Sequence, residues 1–186
     1  IPVTWIMMVI GTLALTGFPF TAGYYSKDAI IEAAYAGHNA AHMFAFTLTV
    51  TAALFTSFYS WRLIFMTFHG QSRASNETLS HVHESPLVML VPLVILAVGA
   101  LGAGMVFAPL FIGHAYEAFW LESIFRGAEN HIMHEFHNVP AWVPYAPTLM
   151  MIVGFATAWL FYIARPDIPK QLAKTHEPIY KFLLNK

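Results

Sequence analysis

Residues 15–31 read LTGFPFTAGYYSKDAII. Pro19 has no backbone donor and clashes with the preceding helical turn, and Gly17 and Gly23 weaken the helix on either side of it. The stretch therefore predicts two half-helices, about residues 3–17 and 24–36, joined by an irregular link. Charged residues follow soon after this break, so the same stretch decides both the fold and the candidate site.

The rest of the chain is strongly apolar. Of its 186 residues, 58% are hydrophobic and 10% are charged, whereas soluble domains average about 25% charged residues. Four segments contain no Asp, Glu, Lys or Arg, and they cover residues 1–26, 33–61, 85–116 and 136–164. Each is longer than the roughly 20 residues that a membrane-spanning helix needs. We therefore predict an all-α integral membrane protein with one membrane domain over residues 1–186, and we exclude soluble classes.

The charge-free segments predict four crossings and two other regions. The crossings are about residues 1–36 with the break at Gly17–Gly23, 41–68, 87–107 and 145–163. The 108–143 loop is rich in aromatic residues, which predicts short helices at the membrane interface. The 165–186 tail alternates lysines with apolar residues and predicts an amphipathic segment.

Positive charge is distributed unequally between the two sides of this arrangement. One side collects Arg62, Arg73, Arg165, Lys170, Lys174, Lys181 and Lys186. The other side has Arg126 among Glu117, Glu122, Glu129 and Glu135. Because Lys and Arg favour the inner side, we predict that the tail faces the cytoplasm or an organelle matrix and that the 108–143 loop faces outward.

Lys27, Asp28 and Glu32 form a charge cluster within the first predicted crossing. Lys27 lies about 15 Å from the loop at residues 37–39, close to half of a hydrocarbon core about 30 Å thick. Asp28 and Glu32 share one helical face, and Lys27 points about 100° away from Asp28. Burial favours a neutral lysine and nearby carboxylates favour a charged one, so the cluster is suited to loading and unloading a proton. Alternatively, Lys27 extends to the interface and the acids merely begin a loop.

Hydroxyl groups are frequent on the next crossing. Thr49, Thr56 and Ser60 are spaced seven and four residues apart, which places them on one stripe that could face Lys27 through ordered water. The alternative is that these hydroxyls bond to their own helix backbone. His69 lies at the inner end of this crossing, near Arg62, and is a candidate site of proton uptake.

Other kinds of site are disfavoured. The chain has ten His, but His131, His134 and His137 drift about 120° around a helix, and His81 and His83 lie in a loop, so we predict no bound metal. There is no Cys, and no phosphate-binding loop, dinucleotide fingerprint or nucleophile–base pairing is visible. The net charge of −1 gives no attraction for nucleic acid.

Two stretches carry a resemblance to a known family. Residues 15–31, and residues 57–70 with the sequence SFYSWRLIFMTFHG, resemble the broken helix and the following helix of the antiporter-like subunits of respiratory complex I. That family carries protons through the membrane, and it holds a lysine next to an aspartate near the outward exit. The resemblance places this pair on Lys27 and Asp28. It implies that Lys27, Asp28 and Glu32 translocate protons, while Thr21, Tyr24, Tyr25 and Ser26 around the break orient water.

The resemblance also implies the wider setting. The chain is expected to be the C-terminal part of a longer subunit of a proton-translocating NADH:quinone oxidoreductase and to hold no cofactor, because NADH, FMN, iron–sulfur clusters and quinone belong to other subunits. Its expected partners are other membrane-arm subunits, especially the neighbouring antiporter-like subunit, and lipid, but not nucleic acid. The expected location is a bacterial or mitochondrial inner membrane, crossed several times. Two alternatives stay open: a subunit of a multisubunit cation/proton antiporter, and a membrane anchor without transport.

Overall fold

The computed structural model describes residues 1–38, 40–70, 72, 74–121, 123–125, 127 and 130–185, without the side chains of His134 and His137. The regular structure in these residues is helical. The elements are α1 (Pro2–Thr16), α2 (Ala22–Ala36), α3 (His42–Phe68), α4 (Asn76–Ser80), α5 (Leu87–Phe111), α6 (Tyr116–Trp120), α7 (Ile132–Glu135), α8 (Trp142–Trp159), α9 (Asp167–Thr175) and α10 (Glu177–Leu184). A 3₁₀ turn over Phe136–Asn138 follows α7, and a π-helical turn over Leu160–Ala164 follows α8.

Within the described residues, three helices are long and apolar enough to cross a membrane: α3, α5, and α8 with its π-helical turn. Two of their ends differ from the predicted ones. Helix α5 continues to Phe111 rather than to about 107, because Pro109 lies in the last turn, where little of the helix remains to be disrupted. Helix α8 begins at Trp142 rather than 145, because Pro144 lies in the first turn, where its missing N–H needs no partner.

Helices α1 and α2 meet at a structured turn. Each has 15 residues, which corresponds to about 22 Å. Gly17 has a φ of 81° and ends α1, while Phe18 N donates to Leu13 O at 2.9 Å and Gly17 N donates to Ala14 O at 3.2 Å. This pair of bonds is the Schellman arrangement, which requires a left-handed residue and so favours glycine. The Thr21 hydroxyl donates to Phe18 O at 2.6 Å and fixes the other side of the turn.

The beginning of α1 lies at the end of α3. The Trp5 ring is 6.1 Å from the ring of His69, and Glu84, just before α5, accepts a hydrogen bond from Val3 N at 2.7 Å and from the Thr4 hydroxyl at 2.9 Å. Desolvation raises the pKa of Glu84, but the hydrogen bonds from Thr4 and Val3 outweigh it and hold this pKa below its ordinary value. We call this side of the molecule the first end.

Three rings mark the opposite side of the molecule, the second end. Tyr35 of α2, Phe46 of α3 and Trp142 of α8 meet edge to face, with centroids 5.2 to 5.6 Å apart. They adjoin a buried cluster that includes Ile31 and Val143. The chain therefore runs from the first end to the second through α1 and α2, returns through α3, crosses again through α5 and returns through α8.

Close helix packing depends on small residues. A Cβ on Gly154 of α8 would lie 2.5 Å from Leu54 O of α3, and one on Gly104 of α5 would lie 2.6 Å from the ring of Tyr25. Side chains at these glycines would separate the helices. The Ser57 hydroxyl adds a bond from α3 to α8, because it donates to Met151 O at 2.7 Å.

The 108–143 loop and the 165–186 tail both contain short helices. Short helices α6 and α7 interrupt the 108–143 region, and α9 and α10 form the tail with every residue at least partly exposed among those described. Five of the charged residues that predict the orientation lie outside the described residues: Arg73, Lys186, Arg126, Glu122 and Glu129.

Candidate functional site

Lys27 lies in the second turn of α2, and its side chain turns back toward the break. This is the usual direction of a long side chain on a helix. The Lys27 Cδ atom is 3.5 Å from the position that a Cβ on Gly17 would occupy. The aliphatic part of Lys27 therefore passes the C-terminal end of α1, where the helix dipole favours a cation.

The Lys27 amine has no hydrogen-bond partner among the residues that the structure describes. Its Nζ atom is buried and makes no hydrogen bond with any residue that the structure describes. Asp28 and Glu32 are therefore not within hydrogen-bond distance of it, although both belong to the same helix. The reason is local geometry, since neighbouring helix residues point about 100° apart.

Asp28 and Glu32 lie one turn apart on another face of α2. Asp28 is 9% exposed, and Glu32 is half-buried. Tyr24 lies one turn before Asp28, on the same face of α2. The three side chains form a row along α2 that runs from the break toward the second end.

A cavity of about 210 Å³ lies between α2 and α3. Its lining consists of Lys27, Ile30, Ile31, Thr49, Ala52, Ala53 and Thr56. It has room for several water molecules, which need polar partners of the kind that the threonine hydroxyls offer. The Thr49 hydroxyl donates to Ala45 O at 2.9 Å, which leaves its oxygen free to accept a bond from water.

The structure separates Ser60 from this pair of threonines. The predicted stripe included Ser60, but that residue lines a different cavity, with Thr12 of α1. Ser60 lies four residues beyond Thr56 toward the first end, where α3 faces α1 rather than α2. Sequence reasoning also missed Thr12, because nothing in the sequence near α1 indicates its partner on α3.

The polar residues around the break have different surroundings. Thr21 is 4% exposed and its hydroxyl bonds to Phe18 O, while the Ser26 hydroxyl donates to Ala22 O at 3.3 Å. The rings of Tyr24 and Tyr25 are 5.4 Å apart, and Tyr25 also packs against Gly104. Thr21 and Ser26 thus bond to the backbone nearby, and Tyr24 is the member of the group that shares a helical face with Asp28 and Glu32.

His69 and Arg62 lie away from Lys27. The His69 ring packs against Trp5 at 6.1 Å and Phe65 at 5.7 Å, and the Arg62 guanidinium lies 5.6 Å from the ring centroid of Tyr162. Neither residue is among those that line the Lys27 cavity. The structure therefore places the predicted uptake residues in aromatic surroundings at the first end.

The described residues hold no group of three or more His, Cys, Asp or Glu that could bind a metal ion. His131, His134 and His137 are candidate metal ligands in the sequence, which predicts no bound metal there. The side chains of His134 and His137 lie outside the described part. His38 bonds to Glu135 at 2.6 Å and joins the end of α2 to α7. Sequence reasoning missed this pair because 97 residues separate its members.

The chain is similar in sequence to known proteins. Residues 1–56 match the family described as "NADH:quinone oxidoreductase/Mrp antiporter, TM". The whole chain is 38% identical to NADH-quinone oxidoreductase subunit L of Rhodobacter capsulatus, of which it covers 35%. It is also 36% identical over its whole length to subunit L of Neisseria meningitidis serogroup B, covering 31% of that protein. Over 86% of its length it is 38% identical to NADH-ubiquinone oxidoreductase chain 5 of Marchantia polymorpha, covering 24% of it. The chain thus spans about a third or less of these relatives.

Proposed function

We propose that this chain, which is homologous over its whole length to part of NADH-quinone oxidoreductase subunit L and over 86% of it to part of NADH-ubiquinone oxidoreductase chain 5, moves protons across a membrane. In this proposal α1 and α2 together make one interrupted crossing, so that four crossings pass through the bilayer. The first end faces the cytoplasm or matrix and the second end faces outward. Irregular backbone such as the turn at Gly17 is tolerated at membrane depth when protein surrounds it or a cavity adjoins it.

One observation carries the proposal: the buried Lys27 Nζ has no hydrogen-bond partner among the described residues and belongs to a side chain that lines a cavity with Thr49 and Thr56. A fixed ion pair would hold the lysine in its charged form. Without one, the amine would exchange a proton when a small movement of its side chain brings it to water in the adjoining cavity. An intramembrane ionisable residue in such a setting is a functional residue by default.

In this proposal the proton passes from Lys27 to the carboxylates of Asp28 and Glu32. Asp28 and Glu32 accept a proton in turn, one helical turn apart, on the outward side of Lys27. Tyr24 orients Asp28, while Thr21, Tyr25 and Ser26 hold the break in shape. Proton uptake takes place at the first end, where His69 and Arg62 are the candidates.

The rest of the assembly supplies the redox chemistry. In this proposal the chain holds no cofactor and no metal, and NADH, FMN, iron–sulfur clusters and quinone belong to other subunits. Its partners are the other membrane-arm subunits and lipid, and its location is a bacterial or mitochondrial inner membrane. The relatives' names support this setting, because each describes a subunit of an NADH-quinone or NADH-ubiquinone oxidoreductase.

A second candidate function follows from the family description, which also names the Mrp antiporter. In that case the same helices would exchange a cation such as sodium for protons. Proton movement that requires sodium on the opposite side favours this candidate, and proton movement independent of sodium favours the first. A third possibility, an anchor without transport, predicts that Lys27 tolerates replacement.

The test uses the assembled complex with the full-length subunit in sealed vesicles. We expect Lys27→Ala to lower proton pumping by about 10²-fold, the usual contribution of a positioned proton-transfer group. Lys181→Ala is the matched control, because it removes an exposed lysine of the same chain. Equal pumping by the two variants, with normal assembly, would contradict the proposal.

A further inference from the structure

Glu84 contacts the first turn of α1 from the segment that joins α3 to α5. One of its carboxylate oxygens accepts a hydrogen bond from Val3 N at 2.7 Å. The other accepts from the Thr4 hydroxyl at 2.9 Å and from Thr4 N at 3.3 Å. The two partners are 81 and 80 residues away in the sequence. These three bonds therefore join the beginning of α1 to the residues that precede α5.

The backbone groups that Glu84 binds have no acceptor in their own helix. Val3 N and Thr4 N belong to the first turn, whose N–H groups lack intrahelical partners. Pro2 makes this turn the beginning of the helix, because its ring disfavours a helical conformation at the residue before it. Ile1, at the capping position, has no side chain that could accept a hydrogen bond. Glu84 therefore takes the place of a capping side chain, and its negative charge lies at the positive end of the helix dipole.

A second contact holds the same turn from the other side. The Trp5 ring of α1 lies 6.1 Å from the ring of His69, which directly follows α3. Glu84 comes just before α5, so the first turn of α1 is held by residues that adjoin two long helices. This arrangement fixes the position of α1 along its own axis relative to α3 and α5.

The other end of α1 packs tightly on α2. A Cβ on Gly23 would overlap Ala14 O, so the two backbones are already in contact. The Lys27 Cδ atom lies 3.5 Å from the position that a Cβ on Gly17 would occupy. Because α1 is a single hydrogen-bonded helix of 15 residues, an axial displacement of its first turn also displaces Ala14 O and Gly17. The bonds made by Glu84 therefore bear on the surroundings of Lys27 at the opposite end of the helix.

We propose that Glu84 is a positioning residue for Lys27: it binds the first turn of α1 and so sets how far α1 extends toward α2 and the lysine side chain. The inference rests on the proposed function of Lys27. Glu84 acts through hydrogen bonds and transfers no proton itself. A side chain without acceptor oxygens at this position leaves the two N–H groups of the first turn without their partner, and α1 can then shift along its axis.

The first experiment measures proton pumping by the assembled complex with the full-length subunit in sealed vesicles. Glu84→Ala should lower pumping about tenfold, since a displacement of about 1 Å can cost up to about 10²-fold. Glu84→Gln keeps one acceptor oxygen and should fall between Glu84→Ala and the wild type. Glu77→Ala is the matched control, because it removes an exposed carboxylate from the same segment and should pump normally. Native gels show whether each variant assembles.

The second experiment reports the position of α1 without using proton transport. The chain has no Cys, so Lys27→Cys introduces the only thiol of these 186 residues. The probe is N-ethylmaleimide, and mass spectrometry of the subunit measures its rate of reaction at residue 27. Adding Glu84→Ala to Lys27→Cys should raise this rate about tenfold, the effect of losing one or two hydrogen bonds on a local opening. Adding Glu77→Ala should leave the rate unchanged.

The two experiments separate this inference from the proposed function. If Glu84→Ala assembles, pumps like the wild type and leaves the maleimide rate unchanged, Glu84 has no positioning role. If Glu84→Ala lowers pumping but the maleimide rate stays the same, Glu84 acts only on stability and the inference is also wrong. Normal pumping by Lys27→Ala would contradict the proposed function, whereas the maleimide rate would still show whether Glu84 positions α1. If Glu84→Ala fails to assemble, the same comparisons are made with Glu84→Gln.

Discussion

Helix α2, just after the break, and the tail helix α10 each contain a lysine that lies close in sequence to a carboxylate. Only the lysine of α10 forms an ion pair with it among the described residues. Lys181 is 65% exposed and its Nζ lies 2.6 Å from Glu177 Oε1. Lys27 has carboxylates one and five residues away, yet its buried Nζ has no hydrogen-bond partner in the described part of the chain. Spacing explains the difference, because residues four apart share a helical face and adjacent residues do not.

The two lysines differ in what their charge contributes. An exposed ion pair adds little to the free energy of unfolding, typically about 0–1 kcal/mol. A buried amine without a fixed partner is costly as a cation, and so its protonation responds to small changes around it. The tail pair is therefore an ordinary surface feature, whereas our proposal gives Lys27 the role of passing a proton on.

The largest expected effect comes from adding a side chain at Gly23, where α2 packs closely against α1. A Cβ on Gly23 would overlap Ala14 O, a backbone atom that cannot move aside. Gly23→Ala should therefore destabilise the subunit by about 3 kcal/mol and reduce its assembly. Thermal unfolding and native gels measure both effects. Gly99→Ala is the control, because its Cβ meets nothing within 4 Å; if both variants assemble normally, the close contact of α1 and α2 is wrong.

A smaller effect is expected when Lys27 is given a carboxylate partner, as Lys181 has in Glu177. Ile30 lines the same cavity as Lys27, three residues further along α2. Ile30→Glu should form an ion pair and hold the amine charged, which should slow pumping about tenfold or more. Ile30→Gln is similar in size and uncharged, so it should retain far more activity. Pumping in vesicles compares them, and equal rates would show that pairing at Lys27 is unimportant.

A smaller effect distinguishes two serines three residues apart. Ser57→Ala removes a buried hydrogen bond to Met151 O and should lower the free energy of unfolding by about 1 kcal/mol. Ser60→Ala removes a hydroxyl with no partner among the described residues and should change the free energy of unfolding by less than about 0.5 kcal/mol. Thermal unfolding in detergent tests the order, and the reverse order would contradict the assignment of partners.

The smallest effect belongs to the tail. Glu177→Gln breaks the pair with Lys181 and should change stability by less than about 0.5 kcal/mol and pumping not at all. Added salt should remove even this difference. A marked loss of pumping would mean that the tail pair takes part in transport.

Much of the fold follows from local sequence. Charge-free segments predicted the long helices, and Pro19 with Gly17 predicted where one half-helix ends and the next begins. These features act within a few residues, so they can be read without knowing the fold. Helix ends at Pro109 and Pro144 were misplaced, because a proline is tolerated near either end of a helix.

The candidate site was only partly predictable. Spacing placed Asp28 and Glu32 on one face and Lys27 on another, and it grouped Thr49 with Thr56. Which helix faces each residue depends on tertiary packing, so the separation of Ser60 could not be predicted. The same holds for the position of the Lys27 side chain beside Gly17, which depends on the left-handed turn that ends α1.

Lys27→Arg tests the central claim most directly, because arginine keeps the positive charge but does not release its proton in proteins. Pumping is measured in sealed vesicles with the assembled complex, after assembly is shown to be normal. A proton relay at Lys27 predicts that Lys27→Arg loses pumping as fully as Lys27→Ala does. If Lys27→Arg pumps at the wild-type rate and only Lys27→Ala fails, Lys27 serves as a fixed charge and the relay is wrong.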